Sequence, residues 1–166
     1  MAATTIAAIQ ARISTVIREL VPTMDEKLRF IPSLNQGAAA FRADCEQNPQ
    51  SATRRFQARK VARRRPDVSN SDVELWWVTF EIVVAYAQSH HFGDGAAIDR
   101  DKAMDEDFHK IFFAIALNGR ANFTPPTYPD ACWVDEASDI EPTFEAGRGC
   151  DFLVMRQTYQ YYRAVS

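Results

Sequence analysis

Residues 73–88 read VELWWVTFEIVVAYAQ, and this stretch decides the fold. Its even positions are Trp76, Val78, Phe80, Ile82, Val84 and Tyr86, while the odd positions mix Trp77, Thr79, Glu81, Val83 and Ala85. Alternation of period two among β-branched and aromatic residues predicts a strand. Its even face is apolar throughout and must be covered, and the natural cover is the helical pattern that follows.

That pattern runs from about Asp99 to Asn118, with Met104, Phe108, Ile111, Phe112 and Ile115 on one stripe. Asp99 suits an N-cap, Asp101 the positive end of the helix dipole, and Asn118-Gly119 a C-terminal stop. Phe113 and Leu117 lie off the stripe, which implies a second covered face, with a neighbouring subunit as the candidate cover. Upstream, Ile6, Ile9, Ile13, Val16, Ile17 and Leu20 predict a helix over Thr5–Leu20, capped by Thr4 or Thr5. A short strand is expected over Lys27–Ile31. Ala38–Glu46 reads as a short helix closed by Asn48-Pro49. Gly147 and Gly149 mark a turn before a last strand, Asp151–Val165, whose alternation slips near Arg156–Thr158 and predicts a bulge there. The expected fold is α+β in one domain, residues 1–166: a mostly antiparallel sheet with two helices on one face.

Charge is unevenly placed. Residues 54–65 carry seven cations and no acid, with little to bury as helix or strand, so 38–66 reads as a basic arm or hairpin insertion. Residues 130–145 carry six acids and no base. The leading interpretation is a head-to-tail protein contact, which can close into a ring. Arg54, Arg55, Arg59, Arg63 and Arg64 of one subunit would meet Asp135, Glu136 and Asp139 of the next. Apolar contacts through Phe113, Leu117 or Trp77 would supply most of the holding energy. A solvated arm ranks second and a phosphate-binding face third. Only Phe56 interleaves the cations, so stacking on single-stranded nucleic acid has little support.

Composition narrows the classes. A chain of 166 residues is one domain long, 46% hydrophobic and 25% charged, as ordinary globular proteins are. A net charge of −3 makes no global case for nucleic acid. Three cysteines without CxxC spacing favour free thiols in a reducing compartment. Neither a leader pattern nor a membrane-length apolar run is seen, so synthesis in the cytoplasm and no membrane partner are expected. His90, His91 and Asp94 alone resemble a metal or acid/base cluster, yet adjacent strand histidines point to opposite faces. There is no HExxH, phosphate loop or GxSxG. Asp99, Asp101, Asp105, Glu106 and Asp107 read as a solvated helix start. No catalytic, cofactor or metal residues are expected, with a small metal-dependent enzyme as the minor alternative.

In element order and texture the chain resembles the tail terminator (tail-completion) proteins of long-tailed bacteriophages, lambda type. The stretches that carry this are TIAAIQARISTVIREL, VELWWVTFEIVVAYA, AMDEDFHKIFFAIAL and DFLVMRQTYQYYRAV, with an acidic stretch and a glycine turn before the last. The basic insertion between Gly37 and Pro66 departs from the compact family pattern. The resemblance implies a small α/β fold and a virion structural protein without catalytic residues. It implies a ring, expected to be a hexamer, that ends the tail tube and offers a surface to the head connector or neck, with DNA passing through the lumen. Another neck or tube protein is the neighbouring alternative.

Overall fold

The computed structural model describes residues 5–24, 28–33, 37–65, 73–90, 92, 97–117, 132–134 and 141–164. The first helix, α1 (Ile6–Glu19), starts where expected: Thr5 Oγ1 accepts the Ala8 N–H at 3.1 Å. Ile9, Ile13, Val16 and Ile17 form its buried stripe. A two-residue strand, β1 (Ile31–Pro32), is all that is described of the expected Lys27–Ile31 strand. Helix α2 (Ala38–Gln47) ends at Asn48, and Pro49–Ser51 makes a 3-10 turn into β2 (Arg55–Arg64). The long strand β3 (Val73–Ala87) follows, then α3 (Ala97–Phe112), which runs on into a π turn over Phe113–Leu117. The remaining strands are β4 (Cys132–Val134), β5 (Thr143–Ala146) and β6 (Cys150–Ala164). Asp99 lies inside the first turn of α3, because the helix begins two residues before it, at Ala97. The expected stop at Asn118-Gly119 lies outside the described residues.

The strands form one sheet in the order β1-β2-β3-β6-β4, with β5 also paired to β6. Among the described strand pairs, only β1–β2 is parallel. The fold is therefore α+β with a mostly antiparallel sheet. Residues 73–87 do form the central strand. Their even face, Val78 to Tyr86, is buried in one cluster with the stripes of α1 and α3.

Two expectations need correction. Of the two readings of residues 38–66, arm or hairpin insertion, the hairpin holds: β2 pairs antiparallel with β3 along its length, and β1 covers its other side only at Arg55 and Phe56. The charge on both faces of β2 is matched by partners remote in sequence, which local patterning cannot show. The two helices expected on one face, α1 and α3, do share it; α2 lies on the opposite side, where Phe41 and Cys45 pack with Val83, Ala85, Phe152 and Val154. The apolar end of the odd face of β3 exists to meet α2. Finally, β6 has no bulge against β3, since pairing runs unbroken from Ala87↔Cys150 to Val73↔Ala164. Its mixed pattern arises because both faces are buried at one end. Leu153, Met155, Tyr159 and Tyr161 face α1 and α3, whereas Phe152 and Val154 face α2. The register shift occurs in β2, between Lys60 and Ala62.

The β5–β6 turn needs its glycines. Gly149 has φ +71°, and a Cβ on Gly147 would lie 2.7 Å from the Cys150 carbonyl oxygen. Among the described residues no helix is long and apolar enough to cross a membrane.

Cys45 and Cys150 are free and buried under α2. The Cys150 thiol donates to the Cys45 carbonyl at 3.2 Å. Burial pushes the Cys45 thiol up to about 11 and the Cys150 thiol up to about 12. Thiolate is the reactive form. Both are expected to resist a thiol reagent at neutral pH in the folded protein and to react once it is denatured. Peptide mapping of alkylated protein checks this, and native labelling of either would show that α2 opens readily.

Candidate assembly surface

The arginine-rich segment divides into an interior part and a surface part. Arg54 is fully buried and cannot be the interface residue its sequence context suggests. Its Nε donates to Asp107 Oδ2 at 2.8 Å, and Tyr86 Oη donates to the same oxygen at 2.7 Å. The rings of Phe30 and Phe92 flank its guanidinium at 5.9 and 5.4 Å. Its backbone sits at φ 62°, held by Arg54 N–H to Ala85 O at 2.7 Å and Ile31 N–H to Arg54 O at 2.9 Å. Burial pushes the Asp107 carboxyl up, while Arg54 and Tyr86 oppose that shift. The network ties the start of β2 to β3 and α3. Asp107 therefore belongs to the core and not to the solvated acidic face read from the helix start.

Beyond the reach of α2, the same sheet face turns polar. Glu81 is buried between two cations, Arg59 at 3.0 Å and Arg156 at 3.0 Å. One row further along, Thr79 and Thr158 share a hydrogen bond of 2.8 Å. Arg64 lies 4.6 Å over the Trp77 ring, Arg63 lies 4.5 Å over Trp76, and Arg65 pairs with Glu74 at 2.9 Å. Arg55 reaches Ser33 Oγ at 3.1 Å and Asp44 at 2.6 Å. The cations are thus oriented by their own subunit, and Arg63, Arg64 and Arg65 remain exposed at the far end of β2.

Burial pushes the Glu81 carboxyl up, but hydrogen bonds from Arg156 and Arg59 outweigh it and hold the group below its ordinary 4.5. An acid with a depressed folded value adds stability above its unfolded value and loses it as pH falls through the folded one. Wild type is therefore expected to lose this increment below about pH 4.5. Glu81→Gln is expected to be less stable at neutral pH, with a flatter acid limb. Urea midpoints at stepped pH check this, and parallel curves for the two proteins would contradict it.

The opposite sheet edge has the opposite charge. Glu141 is exposed just before β5, and Glu145 within it is held by Arg42 of α2. Phe144, 52% exposed, stands on the α3 side near Met104. Phe113 is 56% exposed and joins Val21, 47% exposed, at a shallow apolar groove between the ends of α1 and α3. Leu117 falls in the π turn, its side chain outside the described residues. Asp135, Glu136 and Asp139 also lie outside them, so the acidic side is described only by Glu141 and Glu145. A groove of about 470 Å³ separates α1 from β2, with Ala7, Ala11, Ser14 and Thr15 on its helical wall.

His90 packs edge-on against Phe92 at 4.6 Å, while His91 and Asp94 lie outside the described residues. Among the described residues no three metal-ligating side chains converge. Sequence reasoning missed the role of β5, because a four-residue strand with a single large apolar side chain, Phe144, carries almost no periodic signal. A scan of family models finds no match to this chain, and a search of curated proteins finds none either.

Proposed function

We propose that the chain is a non-catalytic structural subunit of a long-tailed phage, forming a ring that closes the tail tube and joins it to the head connector. The observation that carries this reading is the unlike character of the two sheet edges. One carries Lys60, Arg63, Arg64 and Arg65, and the other Glu141, Glu145 and Phe144. Unlike edges on one subunit suit a heterologous contact, and such contacts make rings when the rotation closes. The resemblance in element order supplies the tail context. The ring, expected to be a hexamer, would meet the tube protein at one end and a neck protein at the other, with DNA crossing its lumen.

Exposed charge pairs are screened over about 10 Å at 0.1 M salt and about 3 Å at 1 M. They should govern association rate more than final affinity. Purified protein is expected to form closed rings, seen by mass photometry and negative-stain microscopy, and to assemble more slowly as salt rises. Arg63→Glu with Arg64→Glu is expected to slow assembly further while leaving the core intact. A chain that stays monomeric at all concentrations would overturn the reading, and open tubes would shift it to a tube protein.

A further inference from the structure

We infer that β5 of one copy pairs antiparallel along the open edge of β2 of the next, seating Phe144 in the groove between β2 and α1. This rests on the ring reading and specifies its interface.

The backbone supplies the first reason. Strand β1 covers β2 only at Arg55 and Phe56, and past that point no described strand pairs with its outer edge. Outward groups on this edge accept what is near: Ser33 N–H donates to Phe56 O at 2.7 Å, and Gln10 Nε2 to Ala58 O at 2.6 Å. By two-residue alternation, the N–H and C=O of Lys60 are next in that row. No described strand pairs with the outer edge of β5 either. Unpaired edges are templates for added strands.

Topology fixes the direction. Strands β2, β3, β6 and β5 alternate in sense across the sheet, because each neighbouring pair is antiparallel. A head-to-tail copy that continues the sheet repeats this order, so its β2 runs opposite to β5. Both faces then match. Phe144 pairs with Leu153 and so shares the face of α1 and α3. In the next copy that face presents the groove, walled by the small residues Ala7, Ala11 and Ser14, where a ring can enter. Glu145 shares the opposite face with Phe152, which brings it toward Arg59 and Gln57. Glu145 and Arg59 are already paired within their own subunit, but the occupant also brings the exposed Glu141, and the site offers the exposed Arg18 and Lys60. Charge complementarity therefore favours a second copy over nucleic acid.

Amide hydrogen exchange on the wild-type full chain, assembled against dilute monomer, is the primary test. Backbone amides of 58–64 and of 143–146 are expected to slow by about tenfold or more on assembly. Phe144→Ala, on an exposed side chain, is expected to raise the concentration for half-assembly by about tenfold, with an unchanged thermal midpoint. Lys60→Pro removes one outward donor without touching the β2–β3 ladder and should act alike, whereas Lys60→Ala should not. Rings whose edge amides exchange as fast as those of monomer, or that tolerate Phe144→Ala, would overturn this interface and leave the ring reading standing. Protection of β2 that appears only on adding duplex DNA, with β5 unchanged, would overturn it in favour of nucleic acid. A chain that never assembles would overturn both.

Discussion

Asp107→Ala is expected to destabilise the protein by about 3–5 kcal/mol, the cost of leaving a buried charge without its partner. Arg54 is fully buried, and the substitution strips its guanidinium of the carboxylate that holds it. Tyr86 Oη loses its acceptor at the same time. The backbone of Arg54 adds to the effect, since its left-handed conformation persists only while the surroundings hold it. The pair itself need not be strongly stabilising. An apolar replacement of both members, Arg54→Met with Asp107→Leu, is expected to recover much of the loss, because buried ion pairs are often no better than hydrophobic residues of similar size. Urea denaturation of the two single variants and the double variant checks this. A loss below about 1 kcal/mol for Asp107→Ala would mean that water reaches Arg54.

Ile82→Ala is the second large effect, expected at about 2–5 kcal/mol. Ile82 is 0% exposed at the middle of β3, in the cluster that contains Phe108 and Ile111 of α3 and Ile13 of α1. Sheet and helices fix its surroundings on several sides, so the cavity cannot readily collapse. Val83→Ala on the other face should cost less, because fewer atoms are removed from the smaller cluster under α2. A denaturation midpoint unchanged by Ile82→Ala would mean that the even face is not the main core.

These two effects also mark what could be read from the chain alone. The even face of β3 and the stripes of α1 and α3 were legible because burial on one side imposes a period, and the period is local. Arg54 was not legible. Nothing near it in sequence distinguishes it from Arg55 or Arg59, and its partner Asp107 follows four other acids in the first three turns of a helix. Strand β2 hid for the same reason: Glu81, Trp76 and Trp77, which orient Arg59, Arg63 and Arg64, belong to the next strand. The supposed bulge in β6 was two buried faces read as one slipped face. Of the candidate interface, the basic side was visible as charge and as a hairpin or arm, but the burial of Arg54 within it was not. On the acidic side, Asp135, Glu136 and Asp139 drew attention by number, whereas Phe144 had no pattern to announce it.

The unbroken β3–β6 ladder has a consequence for how the chain is made. Strand β2 lies just before β3, so that hairpin can close early through a short connection. Strand β6 arrives only after α3 and all that follows it have been synthesised, and every residue of β3 from Val73 to Ala87 waits for it. Pairings so distant along the chain form slowly. Until the ribosome has released residue 164, one long, strongly apolar side of β3 stands open, able to pair with another nascent chain. Overexpression should therefore favour inclusion bodies. A lower expression level, which keeps nascent chains apart until β6 has arrived, should favour recovery of native protein.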